Sequence, residues 1–182
     1  MRRLSICILT LWLAAAAHAR SEDPRIDDLS ATTTNGEVTV RFRLAGAFDH
    51  RRVEQIQSGI PTEITYVVEM FRDRPNWFDE GISRSRIEVR ATFNSVTREY
   101  LLTYRRDRKL VRSETFSDLT TLQRHMTAIE EPSLFDVGPH RPYKLKVRVK
   151  ADLMRGWLLY FVPWEISTRW KETRVAALES HP

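Results

Sequence analysis

Apolar and polar residues alternate one for one in stretch after stretch of this chain, and that period leaves the backbone little choice. A side chain on one face at every second residue requires an extended strand. Val38, Val40, Phe42 and Leu44 alternate with Thr39, Arg41 and Arg43. Ile64, Tyr66, Val68 and Met70 do the same, and Val67 with Phe71 makes the second face partly apolar, as in a central strand. Ile87, Val89, Ala91 and Phe93 lead to an Asn94-Ser95 turn, followed by Tyr100, Leu102 and Tyr104. Leu110 and Val111 lie across the polar turn at Arg106-Asp107. Tyr143, Leu145, Val147, Val149 and Ala151 alternate most cleanly, with Lys144, Lys146, Arg148 and Lys150 on the other face.

Two segments have helical spacing instead. Asp49 is expected to cap a short helix through Ile56, with Gly59 past its end and Pro61 beyond. Ser117 is expected to cap a second, in which Leu119, Leu122, Met126 and Ile129 recur until Pro132 stops it. Short strands with helices only as connectors predict a mainly β fold: an antiparallel β-sandwich of immunoglobulin-like architecture with two short connecting α-helices.

The chain begins MRRLSICILTLWLAAAAHA, a charged start, an apolar run and an Ala17-His18-Ala19 cleavage pattern. Residues 1–19 read as a signal peptide, with an uncleaved anchor as the alternative, and 20–182 as one domain. No later apolar run approaches the roughly 20 residues that span a bilayer, so no transmembrane segment is expected in the mature chain. The single cysteine, Cys7, sits in the middle of the apolar run, unlike a lipoprotein cysteine. A mature chain without it has no disulfide, thiol nucleophile or zinc ribbon, and a periplasmic address is the simplest. Cleavage would also remove Arg2 and Arg3, two of the formal charges behind a net +5. The remaining excess is small, and with export it argues against nucleic acid as a partner.

Catalytic signals are sparse. Asp73, Asp79 and Glu80 in RDRPNWFDE can supply a carboxylate pair, the basis of a remote hydrolase reading; each also suits a solvated corner plugged by Trp77 and Phe78. His50, His125, His140 and His181 form no metal-binding spacing, and His125 suits a partly buried packing place on its helix. There is no G-x-S-x-G elbow and no phosphate loop. The expectation is therefore no catalytic, cofactor-binding or metal residues, and a chain that is not an enzyme.

Recognition surfaces are better supplied. Arg105, Arg106, Arg108, Lys109 and Arg112 crowd one hairpin end, and Lys144, Lys146, Arg148 and Lys150 line one strand face. Both suit an anionic lipid, a glycan phosphate or an acidic protein; both equally suit a solvated face, the lysines guarding an edge strand. In LMRGWLLYFVPWEISTRWKE, Trp157, Trp164 and Trp170 can form an interfacial belt or pack in the core, as a turn of helix from Asp152 to Phe161 followed by a last strand. Trp77, Phe78, Trp164 and Trp170 join the basic residues as the candidate partner surface.

In order and character, VTVRFRLAGAF, SGIPTEITYVVEMFRDR, NWFDE, SRSRIEVRATFNSVTREYLL, FSDLTTLQRHM and YKLKVRVKADL resemble an exported bacterial family, Domain of Unknown Function 4390. The resemblance spans nearly all the mature chain. It implies no reaction, cofactor or ligand, so it carries over no functional residue. It does imply a neighbourhood with a membrane sensor kinase of the nitrogen-regulation type. The reading is then a non-enzymatic binding or accessory module of the envelope, meeting a membrane protein such as a sensor. A lipid- or glycan-binding protein is the alternative.

Overall fold

The computed structural model describes residues 23–73, 80–138, 144–158 and 162–177, without the side chains of 154–165. The predicted alternation is realised as strands β2 (Glu37–Ala45), β3 (Thr62–Arg72), β4 (Glu80–Asn94), β5 (Glu99–Arg106) and β6 (Lys109–Phe116), and β1 (Arg25–Thr34), which it did not mark, precedes them. Strands β7 (Ala128–Asp136), β8 (Leu145–Leu158), β9 (Val162–Ser167) and β10 (Lys171–Ala177) complete the set. Helix α1 (His50–Gln57) joins β2 to β3, and α2 (Leu119–Thr127) joins β6 to β7.

These strands form one sheet in the order β6-β5-β4-β3-β8-β10-β1-β2-β7, with β9 paired to β8. The mainly β character and the two short helices are as expected. The immunoglobulin-like sandwich is corrected: the sheet is continuous and mixed, because β1 runs parallel to β10 while the other pairs are antiparallel. Twisted strands curl a long sheet upon itself, and the result is a half-barrel. Contacts across its hollow record the curl. The Tyr66 ring of β3 stands edge-on to Phe42 of β2, centroids 5.1 Å apart, and its hydroxyl donates to the Met126 carbonyl at 2.8 Å.

The concave face carries the core. Val38, Val40, Ile64, Tyr66, Val68, Ile87, Val89, Leu102, Val147 and Val149 are all essentially excluded from solvent. Leu122 and Met126 of α2 enter the same cluster, each contributing roughly 1.5–3 kcal/mol of apolar transfer free energy. Helix α1 begins as expected, Asp49 accepting from the Arg52 amide at 2.8 Å, and Gly59, past its Ser58 C-cap, takes φ +79°. Helix α2 differs at both ends. Asp118, not Ser117, caps it by accepting from the Thr121 amide at 2.7 Å. It stops at Thr127 rather than running to Pro132, because Ile129 is drawn into register with Phe42 on β2. A residue at helical spacing thus reaches the core from a strand. Pro132 lies within β7 near a bulge, at the end of the sheet, where a missing amide donor is tolerated.

The tail also departs from expectation. Among the described residues no helix follows Asp152; β8 runs on to Leu158 and forms a ladder with β9. Pro163, expected to break that helix, occupies β9, which is bonded on one side only. Strand β8 is not an edge, being bonded to both β3 and β10, so its lysines do not guard one.

One turn demands glycine. At Gly36 φ is +85°, and an added Cβ would stand 2.7 Å from the Gly138 carbonyl carbon. Gly36 also accepts from the Val137 amide at 2.7 Å, tying the β1–β2 turn to the end of β7. Gly36→Ala is expected to destabilise the chain by about 1–3 kcal/mol in urea unfolding; an unchanged midpoint would show that the turn has another route.

Candidate functional site

The two basic groups expected on sequence grounds meet opposite fates. On β8, acids neutralise the ladder. Arg148 donates to Glu69 at 2.8 Å through Nε, with a second contact of 2.7 Å from Nη2, and Arg84 approaches the same carboxylate at 3.6 Å. Lys146 pairs with Asp73 at 2.9 Å and Lys150 with Asp152 at 3.1 Å. Lys144, exposed, precedes the strand, and its carbonyl accepts from the Asp73 amide at 2.8 Å.

This ladder also covers apolar surface. Val67 and Phe71 face outward from β3 yet are only 1% and 6% exposed. Val67 lies in register between Arg86 and Lys150, and the Arg148 guanidinium sits 5.5 Å from the Phe71 centroid. Long cationic side chains lay their stems over apolar neighbours while their heads stay wet. Trp170 extends the cover, its ring 4.6 Å from the Arg148 guanidinium and 5.6 Å from the Lys150 ammonium. It remains half-exposed on the outer face and does not enter the core.

The β5–β6 hairpin end is built differently. Arg106 pairs in register with Lys109 across a two-residue turn, Asp107-Arg108, with φ of +50° and +69°. Positive φ at both central residues matches the twist of a hairpin and ordinarily selects glycine or asparagine. The turn is held from below. Asp107 accepts from the Arg86 amide at 2.8 Å and the Ser85 hydroxyl at 3.0 Å, and its own amide donates to the Arg86 carbonyl at 2.8 Å. Arg108 therefore occupies a left-handed position that disfavours any Cβ by roughly 1–2 kcal/mol, at the exposed tip.

Its neighbours divide by face. Arg106 turns into the hollow and pairs with Glu131 of β7 at 3.1 Å, where the Tyr104 hydroxyl also donates to Glu131 in a short hydrogen bond. Arg112 lies 4.6 Å from the Tyr104 ring centroid and 3.5 Å from Glu114. His125 packs on Phe116 with centroids 4.6 Å apart, the half-buried place expected of it. Among the described residues, no carboxylate pairs with Arg105, Arg108 or Lys109. Beside them Leu110 is 63% and Val111 51% exposed.

The remaining expected residues are quickly placed. At the RDRPNWFDE corner, Arg72 and Glu80 lie opposite each other at the end of the β3–β4 ladder and pair at 3.2 Å. Asp79, Trp77 and Phe78 lie outside the described residues, as do the side chains of Trp157 and Trp164. Sequence reasoning missed the seam of Tyr104, Glu131 and Arg106. An acid beside Pro132 in an apparent helix end carries no signal that it will be buried across the hollow. It also did not see that Leu110 and Val111 would face water.

Fold and site together define a class: a curled, single-sheet β protein in which Arg105, Arg108 and Lys109 lie at one hairpin tip without a carboxylate partner among the described residues. The chain belongs to the family described as a domain of unknown function, DUF4390, which matches residues 21–174. No curated protein matches it. No solved structure matches it either.

Proposed function

We propose that the chain is an exported, non-enzymatic accessory module of the bacterial envelope that recognises an acidic surface of a membrane protein through its β5–β6 hairpin tip. A sensor is the partner that the family resemblance suggests. One observation carries the reading: Arg105, Arg108 and Lys109 stand together without carboxylates, on a turn anchored to β4 by Asp107. A cation held at positive φ lowers stability, and such positions cluster where a surface has work beyond folding. Fixed, unpaired charge also raises the rate of encounter with an acidic partner, in a way that salt suppresses. The paired cations of β8 offer less, since an anion there must compete with Glu69, Asp73 and Asp152.

The test is crosslinking in cells. The chain should trap an envelope protein, and reversing the tip (Arg105→Glu, Arg108→Glu, Lys109→Glu) should abolish that product while the unfolding free energy changes by no more than about 0.5 kcal/mol, as for exposed substitutions. An unchanged set of trapped proteins would reject the tip. Flotation with anionic vesicles, lost in the same variant, would assign these cations to a lipid head group instead.

A further inference from the structure

We infer that β6 is an open acceptor edge, and that the partner adds an extended acidic segment to it as a further strand; this rests on the tip reading above and names its mode of contact. Among the described residues, strand β6 lies at one end of the sheet and is bonded only to β5. Residues 109–113 are all exposed. Alternate amide and carbonyl groups of such an edge point away from its neighbour and lack strand partners.

The other open edges carry obstacles. Strand β7, at the far end, holds Pro132, a register shift and Ser133 at φ +52°, all of which disrupt an incoming ladder. Strand β9 holds Pro163, which has no amide to donate. The eight residues of β6, KLVRSETF, include neither proline nor glycine. Their one irregularity is a bulge near the tip: Tyr104 faces Arg112 and Arg105 faces Leu110, so Val111 is the extra residue on β6, and from Arg112 to Phe116 the register is unbroken.

Charge selects the occupant. An extended segment alternating carboxylates with apolar residues sets an acid against Lys109, on the Arg106 face, and an apolar side chain against Leu110, on the Arg105 face, while further acids meet Arg108 at the tip. Strand addition of this kind takes affinity from main-chain bonds and selectivity from alternate side chains.

The experiment uses the full chain and a labelled peptide of alternating glutamate and valine, beside the same peptide N-methylated at every second residue. Methylation keeps charge and side chains but removes the amides that a ladder needs. The unmethylated peptide should slow amide exchange in residues 109–116, and the methylated one should bind more weakly by about tenfold or more. Equal binding of both would overturn strand addition while leaving the charged tip intact. Failure of both at low salt would overturn the tip reading as well. Protection of β6 in the chain alone, rising with concentration as it dimerises, would assign the edge to a second copy and overturn the proposal.

Discussion

Glu131→Ala is expected to destabilise the chain by about 2–4 kcal/mol, the largest effect of any single polar substitution proposed for it. Glu131 is only 7% exposed, and it joins β7, one end of the sheet order, to β5 beside the other end. Its carboxylate accepts from the Tyr104 hydroxyl on one oxygen and from Arg106 on the other. Removing it strands a buried phenol without an acceptor, a loss of about 1–3 kcal/mol, and leaves a guanidinium that is partly wet and therefore less penalised. Beyond stability, the hollow loses its only described polar tie between β5 and β7. Urea unfolding of Glu131→Ala, Tyr104→Phe and the pair measures the effect. A coupling between the two sites below about 0.5 kcal/mol would mean that Tyr104 and Glu131 act independently.

Alkaline pH should unfold the chain through two phenols. Burial holds the hydroxyl of Tyr66 well above its ordinary value of 10.0. Burial does the same at Tyr104, reinforced by the hydrogen bond to Glu131 and the charge of that carboxylate, with Arg112 opposing. In the unfolded chain both phenols ionise near 10; in the folded chain both keep their protons beyond it. The stability tied to these protons is therefore complete below pH 10 and falls as pH rises above it. With two protons retained only in the folded state, the loss is about 2.7 kcal/mol per pH unit, enough to exhaust a marginal domain within a few units. Groups that titrate alike in both states do not contribute. Denaturant midpoints between pH 9 and 11 should trace this limb, and Tyr66→Phe with Tyr104→Phe should flatten it. An equally steep limb in the double variant would place the alkaline transition elsewhere.

Both results concern a seam that the sequence does not display, and the reason is physical. Alternation in Val38–Leu44, Ile64–Met70 and Leu145–Ala151 states which residues face one side of a strand, because the side-chain period of a strand is two wherever it lies. Those residues are indeed buried. The same pattern is silent about which strand pairs with which, since ladder bonds come from backbone groups that every residue carries. One sheet or two, and a parallel β1–β10 pair, are therefore open at that level. Local signals also lose to ladders. Ile129 keeps helical spacing yet pairs in a strand, and Pro163 follows a helix-like run yet sits in a hairpin.

The basic residues show the division most clearly. By itself the sequence determined that two cationic groups exist, that Lys146, Arg148 and Lys150 share a face, and that a tight polar turn stands among Arg105, Arg106, Arg108 and Lys109. Only the tertiary structure decided which charges are already answered. Glu69 and Asp73 reach Arg148 and Lys146 through strand pairing and chain reversal, at separations in sequence that no local rule connects, whereas Asp152 lies two residues from Lys150 on β8 itself. Arg106 is answered by Glu131 across the hollow, while Arg105, Arg108 and Lys109 form no ion pair with any described acid. Charge is a property of residues, but its neutralisation is a property of distance, and distance is set by how the sheet curls.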